Sequence, residues 1–149
     1  MKQLLLGVII KLLFASNSFA QTAYYSYSAY NYINKSHKKS FQKPVNGYIY
    51  RKKYFKGIFI RPKYNTRYVR SANSGVVIFS GFLKYYGNVI IIKHKNNLKT
   101  VYAKMKKLYV KEGQFVKKGQ IIGSLYKNKP IYFEVRRNIK PVNAYAYLR

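Results

Sequence analysis

The chain contains no cysteine, no aspartate and no tryptophan. Its acidic side chains are two glutamates, Glu112 and Glu134, and its histidines are His37 and His94. Each shortage excludes a chemistry. Without Cys there is no disulfide framework, no thiolate zinc site and no lipid anchor on an N-terminal cysteine. Hydrolysis by acid–base or nucleophilic chemistry needs at least a pair among base, acid, nucleophile and metal-ligand set. A catalytic zinc draws its protein ligands mainly from His, Cys, Asp and Glu. With this inventory neither a dedicated active site nor a cofactor is expected.

What the chain has in excess is positive charge. Thirty Lys and Arg against two Glu give a formal net charge of +28 over 149 residues. One reading is an anionic partner, such as nucleic acid, an anionic membrane or a cell-wall polymer. The other is a composition rich in Lys, Asn, Tyr and Ile, as AT-rich coding produces, with lysines spread along the chain instead of gathered in a tract. Both readings stand on charge alone. The length, with 48% hydrophobic residues, suits one domain plus attachments.

Three regions follow. Met1–Ala20 has a basic Lys2, an apolar run Leu4–Ala15 and a small-x-small ending, Ser18-Phe19-Ala20. This is the pattern of a secretory signal peptide, implying a periplasmic or secreted protein and arguing against nucleic acid. Lys11 interrupts the run, and an uncleaved inner-membrane anchor is the alternative. Gln21–Lys43 is rich in Tyr, Ser, Asn and Lys without a sustained helical period, and reads as a flexible linker. Its tyrosines are candidates for stacking on sugars or bases, and His37 reads as solvated.

From Pro44 to Arg149 the pattern is all-β. Strands are expected at 48–51, 68–72, 76–80, 88–94, 99–103, 120–125 and 131–136, and 54–61 is expected to hold a short strand around Gly57. Asn73-Ser74-Gly75 reads as a hairpin turn. Gly113 and Gly119 form a Gly-x5-Gly pair around a tight corner, and Lys104–Leu108 is a candidate single helical turn. No internal repeat, transmembrane span or phosphate-binding glycine loop is read.

Several words now stand in a recognisable order: PVNG at Pro44–Gly47, KGI at Lys56–Ile58, SGVV at Ser74–Val77 and YGNVIIIKH at Tyr86–His94. They continue with TVYA at Thr100–Ala103, VKEGQFVKKGQIIG at Val110–Gly123, YFEVR at Tyr132–Arg136 and PVNAYAYL at Pro141–Leu148. The series resembles the lysostaphin-type (LytM) zinc metallopeptidase domain, in the branch of the NlpD/EnvC murein hydrolase activators. The resemblance implies a two-sheet β sandwich of the duplicated hybrid motif.

It also implies where chemistry would sit. The family's His-x3-Asp pair falls on Phe55 and Phe59, flanking Lys56-Gly57-Ile58. Its His after the TVYA-like word falls on Lys104. Its His-x-His pair before Phe-Glu falls on Pro130 and Tyr132. Phe has no donor atom for zinc, and Lys or Tyr is a poor substitute at neutral pH. The expectation is a degenerate, non-catalytic domain with no metal. Phe55, Phe59, Lys104, Pro130, Tyr132 and Arg136 would form a vestigial groove for a partner, with an apolar plug as the competing role of the aromatics. The implied function is a regulator of peptidoglycan remodelling that activates an N-acetylmuramoyl-L-alanine amidase during cell division or separation. The alternatives are a passive binder of peptidoglycan or another anionic polymer, and a residual zinc endopeptidase. His94 is expected to be structural, Glu134 to pair with a nearby cation and Glu112 to be solvated.

Overall fold

The computed structural model describes residues 41–149; the leader expected at 1–20 and most of the expected linker lie outside the described residues. The described chain is all-β apart from two short 3-10 turns, Lys95–Asn97 and Ala144–Ala146. Eleven strands run β1 Gly47–Tyr50, β2 Ile58–Pro62, β3 Tyr68–Arg70, β4 Gly75–Leu83, β5 Gly87–Lys93 and β6 Leu98–Met105. They continue as β7 Lys107–Leu108, β8 Phe115–Val116, β9 Ile121–Ser124, β10 Ile131–Arg137 and β11 Lys140–Val142. A large antiparallel sheet has the order β1-β2-β10-β6-β5-β4-β8, with β11 on β10, and a small sheet has the order β3-β9-β7.

The heart of the large sheet is the meander β4-β5-β6, continued by β10. Val, Ile and Phe are prominent in these strands because β-branched and aromatic side chains fit a pleated, half-buried surface. The face toward the small sheet buries Ile58, Ile60, Ile90, Ile92, Tyr102, Ile131, Phe133 and Val135, which meet Val69 and Ile122 in one core. The opposite face carries a second, smaller cluster built on Phe59, Val89, Val101, Ala103 and Tyr132. Period-two alternation thus gives the large sheet two apolar faces.

Several expectations need correction. Asn73-Ser74-Gly75 is not a hairpin turn: β3 pairs with β9 and β4 pairs with β5 and β8, so the turn passes the chain between sheets. Lys104–Leu108 is not a helical turn, because β6 extends to Met105 and β7 joins the small sheet at Lys107↔Ser124. The short strand expected around Gly57 begins only at Ile58, and Gly57 itself lies in the loop before it. Residues 41–43, assigned to the linker, belong to the folded domain. Phe41 is 1% exposed, bridges Leu148, and its ring lies tilted against that of Tyr147 at 5.7 Å.

A short internal repeat is also present. Lys111 N–H donates to Gln114 Oε1 at 3.2 Å, and Lys117 N–H donates to Gln120 Oε1 at 2.9 Å. Gly113 and Gly119 take φ of 83° and 81°, where glycine is favoured. Their N–H groups donate to Val77 O and Ser71 O, both at 2.8 Å. The segments VKEGQF and VKKGQI are thus two copies of one turn, each clipped to a different part of the frame.

His94 is structural. Its Nδ1 lies 2.8 Å from Ser74 O and its Nε2 lies 2.7 Å from Thr100 Oγ1. Thr100 Oγ1 is 2.9 Å from the Tyr102 hydroxyl, which accepts from Ala72 N–H at 2.8 Å. A carbonyl only accepts, so Nδ1 carries the proton of a neutral imidazole and Nε2 accepts from Thr100. Tyr102 then donates to Thr100, and the chain of bonds runs one way and polarises cooperatively.

Burial holds the His94 imidazole below its ordinary value of 6.5, opposed in part by the bond to Ser74. The unfolded chain therefore takes up this proton first as pH falls. The stability contributed is complete above 6.5 and is lost as pH falls through the lowered folded value. Denaturant titrations are expected to show stability declining below 6.5, with His94→Gln flattening that part of the profile.

Candidate functional site

The second face of the large sheet holds most of the positions singled out in the sequence. Tyr132, Glu134 and Arg136 alternate outward on β10, while Ile131, Phe133 and Val135 point into the main core. Tyr132 sits opposite Phe59 of β2 on one side and Ala103 of β6 on the other. The loop before β2 lays Phe55 over them. That loop passes close to β10 at Gly57, where a Cβ would stand 2.4 Å from Phe133 O and 2.8 Å from Tyr132 Cζ. Only glycine fits so close to another backbone.

Three rings meet as a result. Phe55 and Phe59 are edge-to-face at 5.0 Å, Phe55 and Tyr132 lie at 5.5 Å, and Phe59 and Tyr132 at 5.4 Å. These spacings fall in the favourable range for aromatic pairs. Tyr50 stacks on Phe59 at 5.6 Å and Tyr86 approaches Tyr132 at 5.8 Å. Phe59 and Tyr132 are each 1% exposed, whereas Phe55 is 38% exposed. Lys52 Nζ lies 4.8 Å from the Phe59 ring centroid, a cation–π contact.

Polar atoms beneath the rings are fully committed. The Tyr132 hydroxyl accepts from Gly57 N–H at 3.0 Å and donates to Glu134 Oε2. Arg136 Nε donates to Glu134 Oε1. A buried carboxylate requires such pairing, because desolvation of an unpaired charge is costly. Burial, then the hydrogen bond and charge of Glu134, push the Tyr132 phenol well above its ordinary value. The phenol therefore stays a proton donor at any physiological pH.

Of the expected groove residues, Phe55, Phe59 and Tyr132 are in direct contact. Arg136 joins through Glu134, and Lys104 joins through its backbone: its N–H donates to Tyr86 O at 2.9 Å. Lys104 has φ of 63° where the β5–β6 register shifts, a left-handed conformation costly for a non-glycine residue. Pro130 lies half-buried just ahead of β10. The two roles left open for the aromatics divide between residues: Phe59 and Tyr132 are core, and Phe55 is the ring that reaches solvent. The roles of Tyr86 and Lys52 were not read in advance. The Tyr-x-Glu-x-Arg alternation at 132–136 was the available signal for the buried network.

Among the described residues, no three of His, Cys, Asp and Glu gather where a metal could be held. The face itself does not fit zinc. Phe55 and Phe59 offer no donor atom, the Tyr132 hydroxyl keeps its proton for Glu134 and already accepts from Gly57 N–H, and both Glu134 oxygens are hydrogen-bonded. No metal-dependent step is derived from it.

A two-sheet β domain with this face and this order of words defines a class: the chain belongs to peptidase family M23, whose model matches residues 53–144. Among its relatives, the lipoprotein NlpD/LppB homolog of Pseudomonas aeruginosa is 38% identical over 85 residues, covering 54% of this chain and 29% of the relative. The murein hydrolase activator NlpD of Escherichia coli is 35% identical over 97 residues, covering 62% of this chain and 26% of the relative. The chain thus spans less than a third of the length of these relatives. A zinc-containing peptidase from Vibrio cholerae superposes with a TM-score of 0.60 at 29% identity, covering 72% of this chain and 40% of that one. The all-β, two-sheet expectation and the family resemblance both hold.

Tyr132→Phe would leave the Gly57 N–H and one Glu134 oxygen buried without a partner. It is expected to cost about 1–3 kcal/mol in denaturant unfolding, with the fold retained. Leu in place of Phe at 59 should cost less, since hydrophobic swaps of similar volume are usually tolerated within about 1.5 kcal/mol.

Proposed function

We propose that the protein is a non-catalytic regulator of peptidoglycan remodelling. It acts by activating a cell-wall N-acetylmuramoyl-L-alanine amidase during cell division or separation. The observation that carries this reading is the state of the second face. The positions that the family resemblance assigns to zinc ligands are occupied by packed rings and a satisfied hydrogen-bond network, while a partly exposed aromatic surface remains above them. The relatives named murein hydrolase activators support the same direction.

In this reading Phe55, Lys104, Pro130 and Arg136 line the surface that touches the partner, and Phe59 and Tyr132 set its shape from below. Activation follows from tighter binding to the open, active state of the amidase than to its closed state. The setting is extracytoplasmic, in keeping with the leader-like Met1–Ala20 and with relatives named as lipoproteins. Passive adhesion to peptidoglycan or another anionic polymer is the second reading, favoured by the +28 charge.

Dye release from purified cell walls, with and without the amidase of the same cell, tests the proposal. Stimulation is expected, and Phe55→Ala is expected to reduce it about tenfold, the scale of one lost interface anchor. The melting profile should be little changed, because Phe55 is partly exposed. No stimulation at any concentration up to saturation of the wall would overturn the reading. Wall binding that disappears with salt, without stimulation, would favour passive adhesion. Metal analysis of the purified chain is expected to find no stoichiometric zinc.

A further inference from the structure

A cleft of about 560 Å3 opens along the small sheet, away from the aromatic face. Its walls are the loop through Asn65, the β6–β7 junction and the loop through Asn128. Lys63, Arg67, Lys106, Lys107 and Lys127 line it, and no acidic residue does. Of the two glutamates, Glu134 is committed to Arg136 and Tyr132, and Glu112 sits on the first of the twin turns. These cations therefore have no protein counter-charge within the cleft.

The framework that holds them is fixed by backbone bonds. Leu125 N–H donates to Arg67 O at 2.9 Å, and Lys106 N–H donates to Ser124 O at 2.9 Å. Asn65 and Asn128, with φ of 65° and 58°, turn the two loops. Asn tolerates this conformation better than most residues. Between the cations stand tyrosines: Tyr64 is 90% exposed, Tyr68 47%, Tyr109 49% and Tyr126 49%.

We propose that this cleft binds a phosphorylated saccharide. The charge density decides for phosphate. A phosphate monoester carries about −1.5 to −2 at neutral pH, so a few such groups offset the cluster, whereas carboxylates would have to crowd one per cation. The tyrosines decide for sugar. Their rings offer flat faces to the C–H side of a pyranose, and their hydroxyls, with Asn65, Asn128 and Ser124, offer hydrogen bonds to its hydroxyl groups. The site is independent of the amidase reading, since none of its residues belongs to the aromatic face.

Calorimetric titration of the full chain with a mannose pentasaccharide bearing 6-phosphates on three residues tests it, beside unphosphorylated pentamannose, penta-galacturonate and single-stranded DNA of equal charge. The phosphorylated glycan is expected to bind at least about tenfold tighter than each of the others, a difference of about 1.4 kcal/mol. Lys106→Gln with Lys107→Gln should weaken binding about tenfold, and Tyr64→Ala with Tyr126→Ala several-fold at unchanged charge. Lys52→Gln with Lys53→Gln, outside the cleft, should leave it intact. Equal or tighter binding of penta-galacturonate or DNA would overturn the proposal. So would equal sensitivity to the Lys52 and Lys53 changes, which would mean diffuse attraction by net charge. Offering the same phosphosugar on vesicles separates a lipid headgroup from a free glycan as its source.

Discussion

Strand β10 is the element on which the other arrangements depend. It lies between β2 and β6, and its seven residues alternate between two environments. Ile131, Phe133 and Val135 complete the core between the sheets. Tyr132, Glu134 and Arg136 build the polar layer beneath the second face. A register slip by one residue would exchange these sets and place a carboxylate and a guanidinium in the main core. Gly57, just ahead of β2, lets the incoming loop close onto β10, where a Cβ would stand 2.4 Å from Phe133 O.

The second constraint is the closure of polar groups around the small sheet. The His94–Thr100–Tyr102 chain ties the passage between sheets at Ala72–Ser74 to β6. The twin turns clip to Ser71 and Val77 on either side of it. Phe41 lies against the His94 ring at 5.0 Å, so the start of the domain seals the same network. The segment from Ser71 to Val77 is thereby held from several directions, although its sequence reads only as a turn.

Among the described residues no metal-ligand set gathers, and the space beneath the surface of this M23 domain still has to be filled. Here that is done by Phe59 and Tyr132, with Phe55 as a lid and Lys52 above the Phe59 ring. The buried carboxylate of Glu134 finds its counter-charge in Arg136. Packing to high density and satisfaction of every buried polar atom are the general requirements of an interior. Once they are met by aromatic side chains, what remains above them is a partly exposed aromatic surface at Phe55.

The amino-acid sequence by itself determined the β class, the strands that became β4, β5 and β6, and the glycine corners at 113 and 119. Alternation of β-branched residues and the need for positive φ act over a few residues, so they are written locally. It also set the inventory of two Glu and two His, with no Asp or Cys, because a residue type that is absent cannot be supplied by folding. Only the tertiary structure decided that Asn73–Gly75 joins two sheets and that Lys104–Leu108 is extended. The same holds for the place of Phe41 in the core and for the division of the aromatics into two buried rings and one exposed. Each of these depends on a partner distant in the chain: β9 for β3, Leu148 for Phe41, Phe59 for Tyr132. Pairing between remote segments is set by the global packing of side chains, and a local pattern carries no record of it.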